Sequence, residues 1–187
     1  MNKLDAGSGI IYMKVGVHAR ETIEDIVKRK QDEFAKAGKI FWGYGGNTCH
    51  PRTIVQPFAR QFEKEGKPVH LVMHKMKSRH FAVPELAKEY SEDGVDWYPV
   101  PEGIEVRGSR FGMVIGGLTE EEFDVNLQSA IVSVGPSRGR LATDYLKGQV
   151  DKGCFELIKG ENEPKEDTLK HIDITAPLIA PYAVFLR

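Results

Sequence analysis

The sequence predicts an α+β fold, a mixed sheet with helices packed on it, with an α/β arrangement as the alternative. Three observations lead there. Runs rich in β-branched residues, Ile10–Val17 first among them, are interspersed with stretches of helical periodicity. They keep no strict βαβ rhythm. Ile104–Arg107 and Phe111–Ile115, around Gly108-Ser109, read as a hairpin.

Taken in order, Ile10–Val17 is the first strand. Thr22 is the N-cap of a helix over 22–37, with Glu24 and Asp25 in its first turn and Gly38 as its stop. Lys39–Tyr44 is a second strand, followed by a Gly45-Gly46-Asn47 turn. A helix then starts near Pro51, which Pro57 should kink or split. Val69–Met73 is a third strand. A short helix is expected from Pro84 through Tyr90, and a proline-broken extended stretch over Trp97–Gly103. Thr119-Glu-Glu-Glu122 matches a capping box and predicts a short acidic helix, ahead of a strand over Leu127–Val134. A helix from Leu141 to about Val150 follows. Cys154–Ile158 is a brief apolar segment. Pro177 and Pro181 break the end of the chain into edge or bent strands.

Length and composition suit one domain over 1–187, able to bury a core without a metal or a disulfide framework. The net charge of −1 excludes a global attraction to nucleic acid or to an acidic membrane. Cys49 and Cys154 are the only cysteines, as expected of a cytoplasmic chain with free thiols. Residues 1–9 lack the apolar core of a signal peptide and read as a flexible N-terminus, with Met13 an alternative start to Met1. No run is long and apolar enough to span a membrane.

The densest chemistry lies in Lys39–Ile54. An apolar run feeding a glycine-rich turn and then a helix N-terminus can offer backbone N–H groups to an anion. Gly45, Gly46, Asn47 and Thr48 form the turn, Arg52 can grip phosphate or carboxylate, and Trp42 or Tyr44 can stack on a flat ring. Cys49-His50 is the candidate catalytic pair, since a helix N-terminus favours a thiolate; the competing reading is a small apolar cysteine beside a loop histidine. Gly135-Pro-Ser-Arg-Gly-Arg140 is a second junction of the same kind, with Ser137 as cap and Arg138 and Arg140 as phosphate contacts. The histidines and cysteines show no zinc spacing, so neither a metal nor a cofactor is expected. In the basic run His74–His80, Lys75, Lys77 and Arg79 share one face of a strand.

Phe41-Trp-Gly-Tyr-Gly-Gly-Asn47, with Arg60 downstream, resembles the Trp-Gly-x-Gly…Asn…Arg segment of the NADAR family. That resemblance implies an ADP-ribose-like ligand. It covers only Phe41–Arg60. In the family the segment closes the domain, whereas here more than a hundred residues follow it, and the family's upstream residues are missing.

Three functions are compatible with these residues. The first is binding, or enzymatic processing, of a phosphate-bearing nucleotide-like ligand at the two glycine-rich junctions. The second is a nucleic-acid-binding domain using the basic strand and aromatic residues. The third is an assembly protein, such as a homo-oligomer, with no small-molecule site.

Overall fold

The computed structural model describes residues 4–44, 52–146, 152–160, 163 and 165–187. At its centre β1 (Gly9–His18) and β3 (Val69–His80) run parallel and in register from Gly9–Val69 to Val15–Lys75. Helix α1 (Ile23–Ala37) follows β1 and is closed at both ends as its sequence requires. The Thr22 hydroxyl accepts the Asp25 N–H while the Asp25 carboxylate accepts the Thr22 N–H. Gly38 (φ 70°) donates back to Phe34. β2 (Ile40–Tyr44) and α2 (Arg52–Lys64) come next; α2 packs Phe58 and Phe62 against the start of β1 at Gly9.

The remaining strands are β4 (Glu89–Ser91), β5 (Tyr98–Pro99), β6 (Phe111–Ile115), β7 (Thr119–Asn126), β8 (Ala130–Val132), β9 (Gly153–Leu157) and β10 (Leu169–Leu186), with a short α3 (Ala142–Leu146) between β8 and β9. β10 joins two sheets. Its first half lies antiparallel between β3 and β7; its second half pairs with β6 and β4, after a register shift between Leu178 and Ala183. The first sheet therefore runs β8-β9-β1-β3-β10-β7, and the second runs β2-β6-β10-β4-β5.

The first sheet must curl. Its edge strands β7 and β8 are joined by the single 3-10 turn Leu127–Ser129, which covers about 6 Å. Six flat strands would put those edges about 24 Å apart. Inside the curl sit Ile10, Tyr12, Val72, Val125, Val132 and Phe155, capped by Ala142 of α3. The opposite face of β1 and β3 carries Ile11, Met13, Leu71 and Met73. It packs on Phe58 and Phe62 of α2 and on Trp42, Tyr44 and Met113 of the second sheet. Both faces of the central pair are thus buried. None of the described helices is long and apolar enough to cross a membrane.

Several expectations need correction. Residues 119–126 form a strand rather than an acidic helix, because Glu121, Phe123 and Val125 turn inward by twos and pair with β10. The helix expected over 84–90 is extended: Lys88 and Glu89 N–H groups both donate to the Arg187 carbonyl, so the chain end claims them for a sheet. Ile104–Arg107 does not pair with β6. Its contacts go to 85–87 through Ala87 N–H to Val106 O and the Leu86–Arg107 bridge, while β6 lies between β2 and β10. Pro57 neither splits nor ends α2; it lies within the helix on its exposed side. β10 is central rather than an edge, and its prolines coincide with the stretch where it changes partners. Near the N-terminus, Leu4 packs on the curled-sheet core, Ser8 is buried and Gly7 N–H donates to Leu157 O.

Candidate functional site

The turn after β8 and the start of α2 bring together some of the residues singled out by sequence. β9 runs antiparallel to β1 and β8 antiparallel to β9, so β8 points the same way as β1 and ends beside Phe155, the partner of Ile10. Helix α2 is directed oppositely to β1, with Phe58 and Phe62 over Gly9 and its first-turn Ile54 near Cys154, the residue opposite Ile11. Ile54, Val132, Val134, Pro136, Ser137 and Tyr145 enclose a cavity of about 40 Å³. That is room for about one water molecule. The start of α2 and the 134–137 turn are therefore neighbours, and Gly135 lies so close to the Ile54 side chain that a Cβ there would sit 2.7 Å from it. Gly135 also adopts φ 81°, a second reason for glycine.

The turn itself is largely closed on its own backbone. Arg138 N–H donates to Gly135 O, Gly139 N–H to Val132 O, and Arg140 N–H to Ser137 O. Those three amides are unavailable to an anion. Ser137 does not cap the next helix, which begins at Ala142. Arg138 and Arg140 are exposed, and Arg140 also reaches the Asp144 carbonyl at 3.3 Å. Their guanidinium groups are what the turn offers to a ligand.

Trp42 and Tyr44 are core residues of β2, with the Tyr44 ring fully buried beside Phe111. Neither ring presents a face to a ligand. Gly45, Gly46, Asn47, Thr48, Cys49 and His50 lie outside the described residues, as does the Arg52 side chain. Arg60 donates to the Glu92 carbonyl and covers the Phe185 ring. Cys154 is buried against the cavity, and burial pushes its thiol up, so it is a packing residue.

The basic run is the distal half of β3. Pairing with β10 covers only His70–Met73, so beyond Lys75 β3 continues alongside β1 alone. Lys75 pairs with Glu120, whereas Lys77 and Arg79 are exposed. Phe81, just past the strand, is 57% exposed, and Arg20 Nε approaches its carbonyl at 3.4 Å.

A second constellation was not visible in sequence. On β10 and β7, His171 Nδ1 lies 3.2 Å from Asp124 Oδ1 and His171 Nε2 lies 3.5 Å from Asp173 Oδ1. The other Asp173 oxygen accepts the Lys75 N–H at 2.7 Å and lies 2.9 Å from His74 Nδ1. Ligating atoms of Glu122, His171 and Asp173 all fall within 4.8 Å of one another. A register shift between Ile172 and Ile174 places Asp173 there. The only sequence trace is a pair of i, i+2 polar couples, Glu122-x-Asp124 and His171-x-Asp173, which the β7–β10 pairing superposes.

A groove of about 300 Å³ along α1 has Arg29, Glu33 and Glu105 on its walls. These charges are engaged within the fold: Arg29 binds Glu21 and Glu33, and beneath them buried Lys30 binds Glu33 and the carbonyls of Phe41 and Glu105. No protein family matches this chain, and neither a curated protein nor a solved structure shows significant similarity to it.

Proposed function

We propose that the chain binds a phosphate-bearing, nucleotide-like ligand between the start of α2 and the 134–140 turn. The observation that supports this most is that Ile54, in the first turn of α2, and Pro136-Ser137 wall one cavity. The cavity holds no nucleotide, so it forms the floor and the ligand lies above it, with Arg138 and Arg140 supplying charge-assisted contacts. Gly45–Thr48 and Arg52 enter the reading from sequence alone. Cys49 and His50 remain the pair to mutate if turnover is found.

Thermal scans of the full chain with ATP, ADP-ribose, cyclic dinucleotides and inorganic phosphate test this. Tm should rise with one nucleotide class and more than with phosphate, and the rise should vanish in the Arg138→Ala/Arg140→Ala double variant. An unchanged rise in the double variant, or no rise with any of them, overturns the reading.

One observation favours a second reading. The extension of β3 past its pairing with β10 sets Lys77, Arg79 and exposed Phe81 at alternate positions, a basic strand with an aromatic ring for a base. Binding of a short single-stranded oligonucleotide that weakens steeply with salt and is lost in Phe81→Ala would select it. Salt-independent binding would reject it.

A further inference from the structure

We infer that Glu122, His171 and Asp173 form a binding site for a single divalent transition ion, Zn²⁺ or Mn²⁺, on the exposed face where β7, β10 and β3 meet. This does not rest on the ligand reading above and involves none of its residues.

The argument starts from His171. Its Nδ1 is held by Asp124 at 3.2 Å, which orients the ring and leaves Nε2 as the outward donor. A carboxylate holding the far nitrogen of a histidine is the usual support of a metal-bound imidazole. His171 Nε2 and Asp173 Oδ1 lie 3.5 Å apart, long for a hydrogen bond between them. Two donors at the usual 2.0–2.2 Å from one tetrahedral ion lie about 3.3–3.5 Å apart. The spacing fits a shared ion better than a direct contact.

Asp173 is set up in the same way. Its Oδ2 accepts the Lys75 N–H and meets His74 Nδ1, which fixes the carboxylate and leaves Oδ1 facing His171. The Asp173 side chain is only 14% exposed, so this rotamer is held by the sheet and does not sample solvent freely. Glu122 supplies the third donor from the neighbouring strand. Water completes the shell.

Charge points the same way. Glu122, Asp124 and Asp173 gather across two strands, and Lys75, whose backbone N–H binds Asp173, commits its ammonium to Glu120. One imidazole with two carboxylates suits Zn²⁺ or Mn²⁺ and is a poor match for Ca²⁺, which takes six to eight oxygens.

The test uses the full chain freed of metal by a chelator, titrated calorimetrically with Zn²⁺, Mn²⁺, Mg²⁺ and Ca²⁺. One Zn²⁺ or Mn²⁺ should bind per chain, more tightly than Mg²⁺ or Ca²⁺. His171→Ala should abolish binding, and Asp124→Asn should weaken it by about 10–100-fold. Asp173→Asn leaves a single oxygen that must also serve the Lys75 N–H, so the exposed Glu122→Gln serves as the variant that leaves the fold untouched; it should weaken binding by about 10-fold or more. The exposed-carboxylate control Glu102→Gln should change nothing. Absence of one-to-one binding by any of the four ions, or binding that survives both His171→Ala and Glu122→Gln, would show that the cluster is only a set of cross-strand ion pairs.

Discussion

Two charge clusters in this molecule are built from similar side chains and do different things. Under α1, Lys30 is 5% exposed and its ammonium is fully spent on Glu33 and on the carbonyls of Phe41 and Glu105. Glu33 in turn binds Arg29 and accepts the Glu105 N–H. Burial pushes the Lys30 ammonium down while Glu33 opposes the shift. That network ties helix α1 to β2 and to the 104–106 segment. On the β7–β10 face, by contrast, Asp173 is satisfied on one oxygen and His171 on one nitrogen, and the remaining two atoms confront each other at 3.5 Å. A saturated cluster holds the fold together, and a half-saturated one is free to take a ligand.

The largest effect that tests this contrast is in the buried network. Lys30→Ala leaves Glu33 with Arg29 alone as counter-ion and removes the ammonium donor to the Phe41 and Glu105 carbonyls, and should cost about 3 kcal/mol of unfolding free energy in urea titrations. A loss below about 1 kcal/mol would mean that water already reaches the site. Next is the helix start. Thr22→Ala removes the acceptor of the Asp25 N–H and should cost about 1 kcal/mol.

A smaller effect appears with pH. His70 on β3 has its pKa lowered by burial from its ordinary 6.5. The unfolded chain therefore binds the proton more readily, and stability present above about pH 6.5 is lost as pH falls through the folded value. His70→Gln should flatten the dependence of unfolding free energy on pH just below 6.5; an unchanged slope would show that other groups set it. Least affected should be Arg138→Ala/Arg140→Ala without ligand, within about 0.5 kcal/mol of the parent by denaturant titration.

The same contrast explains what could be read in advance. Thr22, Asp25 and Gly38 mark α1 because their partners lie within a few residues along the chain. β1 was legible from its β-branched run. β7 was not, because Thr119-x-x-Glu122 satisfies a helix-start pattern while Phe123, Val125 and Leu127 alternate by twos. Only the partner β10, some fifty residues on, decides between them. The two glycine-rich junctions were visible as sequence, but that Ile54 meets Gly135 was not. The stacking role expected of Trp42 and Tyr44 failed to foresee that β2 is covered by α2 and β6. The His171 cluster had no local signature, since its members are ordinary polar positions until a bulge and a strand pairing converge them.

The most direct test sets one carboxylate from each cluster side by side. Glu33→Gln and Glu122→Gln differ from the parent by the same single atom, and both are scanned thermally with and without Zn²⁺. Glu33→Gln should lower Tm and keep the full Zn²⁺-induced rise, whereas Glu122→Gln should keep the parent Tm and lose the rise. A Zn²⁺ response lost in Glu33→Gln and retained in Glu122→Gln would contradict the account.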